Sequence, residues 1–376
     1  MRILCICPIG LGNYIMMYPA AAALKRHEPD ASLHLLALRH SVAEAAESDP
    51  LWCGIHELSA SRSPQSLLRT VTLLRSLHRH SFTASASFFP SNRWEYNVLP
   101  LFAGIKRRAG FRYKVKHGGK LSDLNTDTIA AVGGIHDVTQ NLRLAGYLTG
   151  RDLTAQTPVW PRLFRDEDAE RARAFLEHAA GGKAYFGLHP GSSRERGMAY
   201  KRWPAKRFAV VADWLCSRTG AVPLIFGGPE EAPLKRKVRA AMCHDAVVVS
   251  AAGVALTAAM IARCRLFLSN DSGLMHVAAC QNVATVGLFG PTDERRTAPF
   301  GHQCVAVRKP MEGFPLWGVE EAGRRRIPPG LRPMQALDAL TTGEVCRRVE
   351  PLLKIFRAPG GTGTSMPGEF TPLSET

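Results

Sequence analysis

The sequence predicts an α/β protein with two Rossmann-like domains, each built on a parallel sheet, with a cleft between them. Strand-like apolar runs alternate with helix-like runs along most of the chain, which is typical of parallel α/β architecture. The 376 residues are enough for two domains with separate cores. The stretch QTPVWPRLF, residues 156–164, has two prolines and little periodicity, which indicates a linker between the domains.

The predicted elements follow one another along both halves of the chain. In the first half the predicted strands are 2–7, 32–38 and 82–89, and the predicted helices are 18–27 and 66–80. In the second half the predicted helices are 167–180, 205–218, 233–242, 254–264 and 274–280, with strands at 184–190, 222–228, 246–250, 265–269 and 283–290. A last helix is predicted over 342–356. The Gly-, Pro-, Ser- and Thr-rich tail over 358–376 is predicted to be disordered.

The composition is that of a globular chain of the cytosol. Hydrophobic residues make up 45% and charged residues 21%, and the nine cysteines contain no C-x-x-C pair, which indicates reduced thiols and neither a disulfide framework nor a zinc site. Pro8 and Gly10 interrupt the apolar N-terminus, which favours strand, loop and helix over a secretory signal. The longest uncharged stretch, 246–262, is too short to span a membrane.

The net charge of +16 predicts an acidic partner. Seven Lys and Arg residues and no acid fall within 106–120. A solvated face is the plain interpretation of such a run. No zinc-finger, RNA-recognition or helix-turn-helix pattern accompanies it, so nucleic acid is the weaker alternative and no nucleic-acid partner is expected.

The first glycine-rich turn does not fit a dinucleotide-binding enzyme. The stretch GLGNYI supplies two of the three fingerprint glycines, with Ile15 at the third position. The second strand is followed by Arg39 and His40, where an acid would hold the ribose. These departures disfavour an NAD enzyme and leave a nucleotide-sugar transferase as the better match.

The most informative stretch is RLFLSNDSGLMHVAAC. An apolar strand ends in Asn270, Asp271, Ser272 and Gly273, which lead directly into a helix. Backbone N–H groups at a helix start, with the helix dipole, suit a diphosphate, and His276 would project near the same end. The plain alternative is that Asp271 or Ser272 is only an N-cap.

Two other strand ends support a ligand site. Ser192, Ser193 and Lys201 follow the strand of LHPGSS and could bind and neutralise phosphate oxygens. Glu230 or Glu231 follows a Gly-Gly turn and could accept hydrogen bonds from ribose hydroxyls, or could simply open the next helix. Ligands of open α/β sheets bind at the carboxyl ends of strands, where these three clusters lie.

Four motifs resemble glycosyltransferase family 9, the ADP-heptose:lipopolysaccharide heptosyltransferases: LHPGSS, YKRWPAKRFA, IFGGPEE, and SNDSGLMHVAA followed by TVGLFGPTDERR. The resemblance covers roughly residues 1–350 and is weakest over 40–150. It implies a GT-B fold, in which two Rossmann-like domains face a cleft. The corresponding boundaries are 1–155 for the acceptor domain, 156–164 for the linker, 165–330 for the donor domain and 331–357 for a helix that returns to the N-terminal domain.

The resemblance also implies an inverting transfer of heptose that needs no metal or other cofactor. An acidic DED triplet at 166–168 opens a helix, where acids suit the dipole, so it is discounted as a metal site. The implied donor-site residues are Ser192, Ser193, Lys201, Glu230 or Glu231, Asp271, Ser272, Gly273 and His276. Among them, Asp271 would contact the heptose hydroxyls, and Lys201 would hold the leaving diphosphate, which makes it a catalytic candidate.

The implied partners are ADP-heptose or a related nucleotide-sugar and a lipid-linked acidic oligosaccharide acceptor. Such an acceptor lies on an anionic membrane, to which the basic segment 106–120 of the acceptor domain would be attracted. The chain is expected to be a cytoplasmic monomer, peripheral on the inner face of the inner membrane.

One position departs from the family pattern. The turn after the first strand, with Gly10 and Gly12, is followed by Asn13, where the family has the Asp thought to deprotonate the acceptor hydroxyl. An amide cannot take that proton, and loss of a general base costs about 10²–10⁴-fold. Asp137 or His136 could serve as base instead, or the acceptor's own acidic groups could help. Alternatively, the protein binds nucleotide-sugar without turning it over. An active transferase is favoured, because the leaving-group residues are all present.

Overall fold

The computed structural model describes residues 1–7, 10–58, 64–91, 93–113, 121–193, 199–250, 252–316, 327 and 329–356. Their contacts separate two compact units. The first unit contains Met1–Arg165, Pro291–Thr297 and Glu312–Pro333; the second contains Asp166–Gly290, Ala298–Met311 and the described residues from Met334 onward. The predicted tail 358–376 and residues 114–120 of the basic segment lie outside the described residues.

The first unit is a parallel six-stranded sheet with helices between the strands. Its strands are β1 Arg2–Cys7, β2 Ser32–Ala37, β3 Gly54–Glu57, β4 Ala84–Ser87, β5 Arg107–Arg112 and β6 Asp127–Ala130, in the order β3-β2-β1-β4-β5-β6. Its helices are α1 Leu11–His27, α2 His40–Ala46, α3 Pro64–Arg79, α4 Glu95–Phe102 and α5 Asp137–Thr149. Residues 3–7 of β1 and 33–37 of β2 are buried, as expected of strands covered on both faces.

The second unit is also a parallel six-stranded sheet. After helix α6 Asp166–Ala180, its strands are β7 Tyr185–His189, β8 Val222–Ile225, β9 Val247–Val248, β10 Leu266–Asn270, β11 Ala284–Phe289 and β12 Cys304–Arg308, in the order β12-β11-β10-β7-β8-β9. The other helices are α7 Ala205–Thr219, α8 Ala232–Ala240, α9 Gly253–Ala262, α10 Gly273–Cys280, α12 Gln335–Ala339 and α13 Thr342–Val349. The short helix α11, Glu294–Thr297, belongs to the first unit.

Both sheets have the same strand order when each is numbered from its own first strand. The order reverses between β1 and β4 in the first unit and between β7 and β10 in the second. In open α/β sheets, this switch point at the carboxyl ends of the strands is the usual ligand position. Each unit therefore has one place at which its fold favours a ligand.

Four strands were not expected from the sequence: β3, β5, β6 and β12. β3, β5 and β6 have four to six residues with charged ones among them, so they lack the continuous apolar run of a central strand. β12 is a five-residue edge strand whose apolar run covers only residues 304–307. β5 lies within the basic segment 106–120. There Ala109, Gly110 and Phe111 are buried while Arg107 and Arg112 are exposed, so part of that segment is sheet and not simply a solvated face.

The predicted linker packs on the first unit. The backbone N–H of Arg162 donates to Asp49 Oδ2 (2.8 Å), and Gln156 Nε2 lies 2.7 Å from His27 Nε2. Tyr18 donates to the other oxygen of Asp49 (2.9 Å), and burial raises the pKa of this carboxyl. The boundary between the two units falls after Arg165.

The C-terminal helices differ from the prediction that this segment returns to the N-terminal domain. Val345 and Val349 of α13 join the core of the second unit, and the indole of Trp203 donates to the carbonyl of Leu340 (2.9 Å). Thr341 caps α13 by accepting from the N–H of Glu344 (3.2 Å). The apolar face of α13 is therefore buried within the second unit itself, and the chain from 350 to 356 continues as 3-10 helix.

In the part of the chain that the structure describes, no helix combines the length and the apolar character needed to cross a membrane.

Candidate functional site

The carboxyl ends of β7, β8 and β10 bring the predicted donor-site residues together in the second unit. Asn270, the last residue of β10, holds the neighbouring loops in place. Its Oδ1 accepts from the N–H of Trp203 (3.0 Å), and its Nδ2 donates to the carbonyl of Pro190 (2.7 Å). The loop that carries Lys201 and the turn after β7 are thereby fixed to the strand that leads into Asp271.

A chain of hydrogen bonds joins residues from all three strand ends. His189, at the end of β7, is hydrogen-bonded through Nε2 to Glu231 Oε2 (3.0 Å) and through Nδ1 to Ser272 Oγ (2.8 Å). Ser269 Oγ lies 3.0 Å from Ser272 Oγ and donates to the carbonyl of Asn270 (2.7 Å). His189, Glu231, Ser269 and Ser272 are all buried, so the chain is shielded from water.

Glu231 also anchors Arg202. Arg202 Nη2 lies 3.0 Å from Glu231 Oε1, and its Nε donates to Ser192 Oγ (3.3 Å). The N–H of Gly228 donates to the other carboxylate oxygen of Glu231 (3.1 Å). Burial alone would raise the pKa of Glu231, but the bonds from His189 and Gly228 and the charge of Arg202 lower it below its ordinary value. Glu231 is therefore ionised at neutral pH and accepts hydrogen bonds at both oxygens.

Two glycines make room for this carboxylate. A Cβ placed on Gly191 would lie 1.9 Å from Glu231 Oε1, and one on Gly227 would lie 2.8 Å from Oε2. Gly227 also has φ +150°, a conformation that L side chains rarely adopt. The glycines of the HPG and GG turns are thus required by the position of Glu231.

Lys201 and Asp271 form an ion pair beside this chain. Lys201 Nζ lies 2.9 Å from Asp271 Oδ2, and the side chains are 15% and 8% exposed. The N–H of Asp271 donates to the carbonyl of Leu288 (3.2 Å), which ties it to β11. The sequence placed these two residues in one site, and the structure adds that they contact each other directly.

Ser272, which precedes α10, uses its backbone and its side chain in different ways. Its backbone has the extended conformation of an N-cap residue (φ −154°, ψ 167°), but its side chain makes no capping hydrogen bond. The hydroxyl is instead bonded to His189. The N-cap interpretation therefore explains the backbone of Ser272 and not its side chain. Gly273 begins α10, and His276 is buried one turn later.

The structure shows which member of each adjacent pair of predicted site residues is buried, a distinction that the sequence left open. Glu230 is exposed whereas Glu231 is buried, and Ser193 is exposed whereas Ser192 is buried. Glu230 and Ser193 are therefore the accessible members of their pairs. His189 and Arg202 were missed by sequence reasoning, and Asn270 was placed at the strand end but given no role. The signal for His189 was its place between a buried strand and Pro-Gly, where an apolar side chain would be expected.

In the first unit, the glycine-rich turn is the first turn of α1. Gly10 is the N-cap and accepts from the N–H of Tyr14 (3.0 Å). The helix starts at Leu11, seven residues earlier than predicted, so Gly12 and Asn13 are helical and Asn13 is half-buried. No acid lies in this first turn. The amide of Asn13 thus lies at the carboxyl end of β1, next to the switch point of its sheet.

The two alternative bases lie at the start of α5. Asp137 is buried, and both of its carboxylate oxygens accept from Arg296 (Nε to Oδ1 3.1 Å, Nη2 to Oδ2 3.0 Å). Arg296 also lies over the ring of Phe89, 5.1 Å from its centroid. His136 is the N-cap of α5, and its Nδ1 accepts from the N–H of Val138 (3.2 Å). Asp137 therefore has the geometry of a structural ion pair, and His136 that of a cap.

Within the described residues, no three His, Cys, Asp or Glu side chains are arranged so that they could hold a metal ion.

Two parallel sheets of Rossmann order, with a charged cluster at the strand ends of the second, define an α/β protein of the GT-B type. The model for glycosyltransferase family 9 (heptosyltransferase) matches residues 71–315. The chain therefore belongs to this family of glycosyltransferases.

Individual relatives agree with this assignment. Lipopolysaccharide heptosyltransferase 2 of Escherichia coli K12 is 27% identical over 325 residues, which are 82% of this chain and 88% of the relative. A family 9 glycosyl transferase from Veillonella parvula superposes with a TM-score of 0.75 at 20% identity, over 94% of this chain and 97% of that one. An E. coli heptosyltransferase solved with ADP gives a TM-score of 0.69 at 15% identity, over 94% and 100% of the two chains.

Proposed function

We propose that this protein transfers a heptose from ADP-heptose to a lipopolysaccharide core acceptor, with inversion at the anomeric carbon. The observation that carries the proposal is the cluster at the ends of β7, β8 and β10, where the Lys201–Asp271 pair adjoins the Glu231–His189–Ser272 chain. The name of the E. coli relative and the ADP-bound neighbour support a heptose donor that carries ADP.

Each accessible group of the cluster has a role in donor binding. Lys201 and Ser193, with the N-terminus of α10, bind the diphosphate, which needs positive charge and N–H or O–H donors. Exposed Glu230 accepts hydrogen bonds from the ribose, and Asp271 accepts them from the heptose. In the transfer, the acceptor oxygen attacks the anomeric carbon from the face opposite ADP, and the bond to the β-phosphate oxygen breaks. Lys201 then stabilises the leaving charge, so that the proposed transfer requires no metal.

The proton of the acceptor hydroxyl needs a recipient. Both oxygens of Asp137 are used by Arg296, and Nδ1 of His136 accepts from a backbone N–H, so in neutral His136 the proton is on Nε2. The guanidinium of Arg296 makes Asp137 a weaker proton acceptor, and the lone pair of His136 on Nδ1 is occupied, so neither group is arranged as a general base. We propose that Asn13 orients the acceptor hydroxyl, and that an acidic group of the acceptor itself takes the proton.

The same observations favour a second function. A protein with Asn13 in the family's base position, and with Asp137 bound to an arginine, could bind nucleotide-sugar without turning it over. Such a protein would keep the complete cluster of the second unit and have no activity on any acceptor.

A transfer assay distinguishes the two functions. Purified protein is incubated with ADP-heptose and a series of truncated core acceptors, and products are detected by mass spectrometry. The expected result is an acceptor heavier by one heptose, formed equally well with and without EDTA. Tight binding of ADP-heptose with no product on any acceptor would favour the binding protein. Absence of binding as well as product would contradict both.

An anionic bilayer is the proposed partner of the first unit. Trp94 at the N-cap of α4 and Leu101 and Phe102 in its last turn share one helix face, and they are 52%, 38% and 68% exposed. Exposed Lys106 follows this helix end directly. Aromatic and apolar side chains beside basic ones suit the interface of an anionic membrane, so we propose that the protein works at the inner face of the inner membrane.

Vesicle sedimentation tests this partner. Wild-type protein should sediment with vesicles that contain phosphatidylglycerol and much less with pure phosphatidylcholine. Trp94→Ser and Phe102→Ser should reduce binding, whereas Leu68→Ser, which removes an equally exposed apolar side chain on α3 (68%), should not. Equal loss in all three variants, or concentration-dependent dimers that the Phe102 variant abolishes, would contradict a membrane face.

A further inference from the structure

The chain Glu231–His189–Ser272 contains a buried titratable group with no role so far. His189 is 4% exposed and lies between a carboxylate and a hydroxyl. Its two nitrogens face partners of different chemistry, and this fixes what each nitrogen does.

The ionised carboxylate of Glu231 only accepts hydrogen bonds, so Nε2 of His189 carries a proton and donates it. In a neutral imidazole Nδ1 is then a lone pair, which must accept from the hydroxyl of Ser272. Consequently the hydrogen of Ser272 is directed at His189, and only oxygen lone pairs are available to a ligand. Ser269 Oγ lies farther from Nδ1 of His189 (3.5 Å) than Ser272 Oγ does (2.8 Å), and its own hydrogen is directed at the carbonyl of Asn270 (2.7 Å), so Ser272 is the donor to His189.

In this arrangement Ser272 has no hydrogen to donate to an anion. Among the residues that the structure describes, the charged groups around His189 are three cations, Lys201, Arg202 and Lys235, and three carboxylates, Glu230, Glu231 and Asp271. They balance one another when His189 is neutral. A diphosphate diester adds two negative charges and needs donors where Ser272 offers lone pairs.

We propose that His189 takes up one proton from solvent when a nucleoside-diphosphate sugar binds, so that Nδ1–H donates to Ser272 and the hydroxyl of Ser272 turns to donate to a phosphate oxygen. The proton returns to solvent when ADP leaves. His189 is thus a positioning residue that acts on the ligand through Ser272. The inference rests on the proposed donor site of the second unit.

Calorimetry of the wild-type protein tests the proton uptake directly. The probe is ADP-ribose, a diphosphate diester that does not itself titrate between about pH 6 and 9. Titrations in buffers of different ionisation enthalpy should show uptake of up to about one proton per ligand. The affinity should fall as pH rises, by at most about tenfold per pH unit, because the complex binds more protons than the free protein.

Two variants assign the proton to one residue. His189→Asn keeps a hydrogen-bonding group near the position of Nδ1 but cannot be protonated, so uptake and pH dependence should disappear while ADP-ribose still binds. His244→Asn, in the exposed turn after α8 and outside the proposed donor site, should keep both. Binding without uptake in wild type, or unchanged uptake in His189→Asn, would overturn the inference and leave the proposed function intact. Failure of the wild type to bind either ADP-ribose or ADP-heptose would overturn both.

Discussion

The two units share a strand order but differ in what they place at its switch point. In the second unit, the chain after the first strand makes a turn through Gly191 and Ser192 before any helix begins, and charged side chains from three strand ends meet there. In the first unit, Gly10 is the N-cap of α1, and the first turn of this helix carries an amide, Asn13, and no acid. One sheet topology therefore carries charged side chains from three strand ends in the second unit and, among the described residues of the first, an amide in the first turn of α1 and an Asp137–Arg296 pair packed on Phe89.

The carboxylates of the two units show the same difference. Glu231 is held by groups from three segments, His189, Arg202 and the N–H of Gly228. Asp137 is instead held by two nitrogens of a single arginine, which is itself packed on Phe89. A bidentate buried pair fixes structure and is poorly suited to exchange protons. This difference supports the proposed division of roles, in which the nucleotide-sugar binds to the second unit and the acceptor is positioned by the first.

The largest expected effect is on the Asp137–Arg296 pair. Asp137→Ala or Arg296→Ala leaves one buried charge uncompensated and should lower the free energy of unfolding by about 3–5 kcal/mol. The double variant should recover part of that loss. The control Arg173→Ala breaks an exposed pair with Glu170 and should cost at most about 1 kcal/mol. An Asp137→Asn variant that is as stable as wild type but has no transferase activity would instead identify Asp137 as the base.

The next effect concerns the ion pair of the second unit. Lys201→Ala removes a charge-assisted bond to phosphate and should weaken ADP binding by roughly 1.5–3 kcal/mol, measured by calorimetry. Asp271→Asn should weaken ADP-heptose more than ADP, since its proposed partner is the sugar. Because the two side chains contact each other, the losses in the double variant should not add. The control is Lys237→Ala, an exposed cation on α8. Additive losses, or equal losses of both ligands in Asp271→Asn, would contradict the assignment.

A smaller effect is expected at the switch point of the first unit. Asn13→Asp should raise the transfer rate by about tenfold, or roughly 1.4 kcal/mol of barrier, and leave ADP affinity unchanged, because a base acts only as the acceptor proton leaves. The new carboxylate also lies in the first turn of α1, where the helix dipole stabilises a negative charge. Initial rates on one acceptor measure the change. A lower rate would show that the site is built around the amide.

The smallest expected effect is a pH dependence of stability that originates in the first unit. His34 and His56 stack in the first unit, with Nδ1 of His34 3.1 Å from Nε2 of His56, and burial lowers the pKa of both, that of His56 to about 4. Below about pH 6.5 these histidines bind protons in the unfolded chain but remain neutral in the folded protein. The free energy of unfolding should therefore decrease as pH falls from about 6.5 to about 4. Thermal unfolding should show a Tm lower by a few degrees at pH 5 than at pH 7. His56→Gln should weaken this dependence, and exposed His244→Gln in the second unit should not. An identical pH profile in all three proteins would exclude the stacked histidines as its cause.

The sequence predicted the second unit better than the first, for physical reasons. Strands such as 185–189 and 266–270 are buried on both faces and stand out as apolar runs. Strands β3, β5 and β6 of the first unit are short or carry charge, and their burial depends on neighbours that are distant in sequence. The packing of α13 on the second unit was missed for the same reason, because an amphipathic face does not specify which surface it covers.

The composition of the donor site was predictable but its connections were not. Motifs at strand ends named Ser192, Lys201, Glu231 and Ser272, since parallel strands end at one edge of a sheet. Which of two adjacent acids turns inward is decided by the space that Gly191 and Gly227 leave, and no local pattern contains that information. Likewise, the contact between Lys201 and Asp271 joins residues 70 positions apart.

The space beside Gly191 also has a consequence for inheritance. A single methyl group at this position would occupy the volume of the Glu231 carboxylate, although the two residues come from different strand ends. A larger residue at position 191 in the HPG turn therefore requires a smaller or displaced side chain at position 231 in the GGPEE turn. Recombination between related genes that exchanged only one of the two segments would have to bring a matching partner for the other, so these segments are expected to travel together.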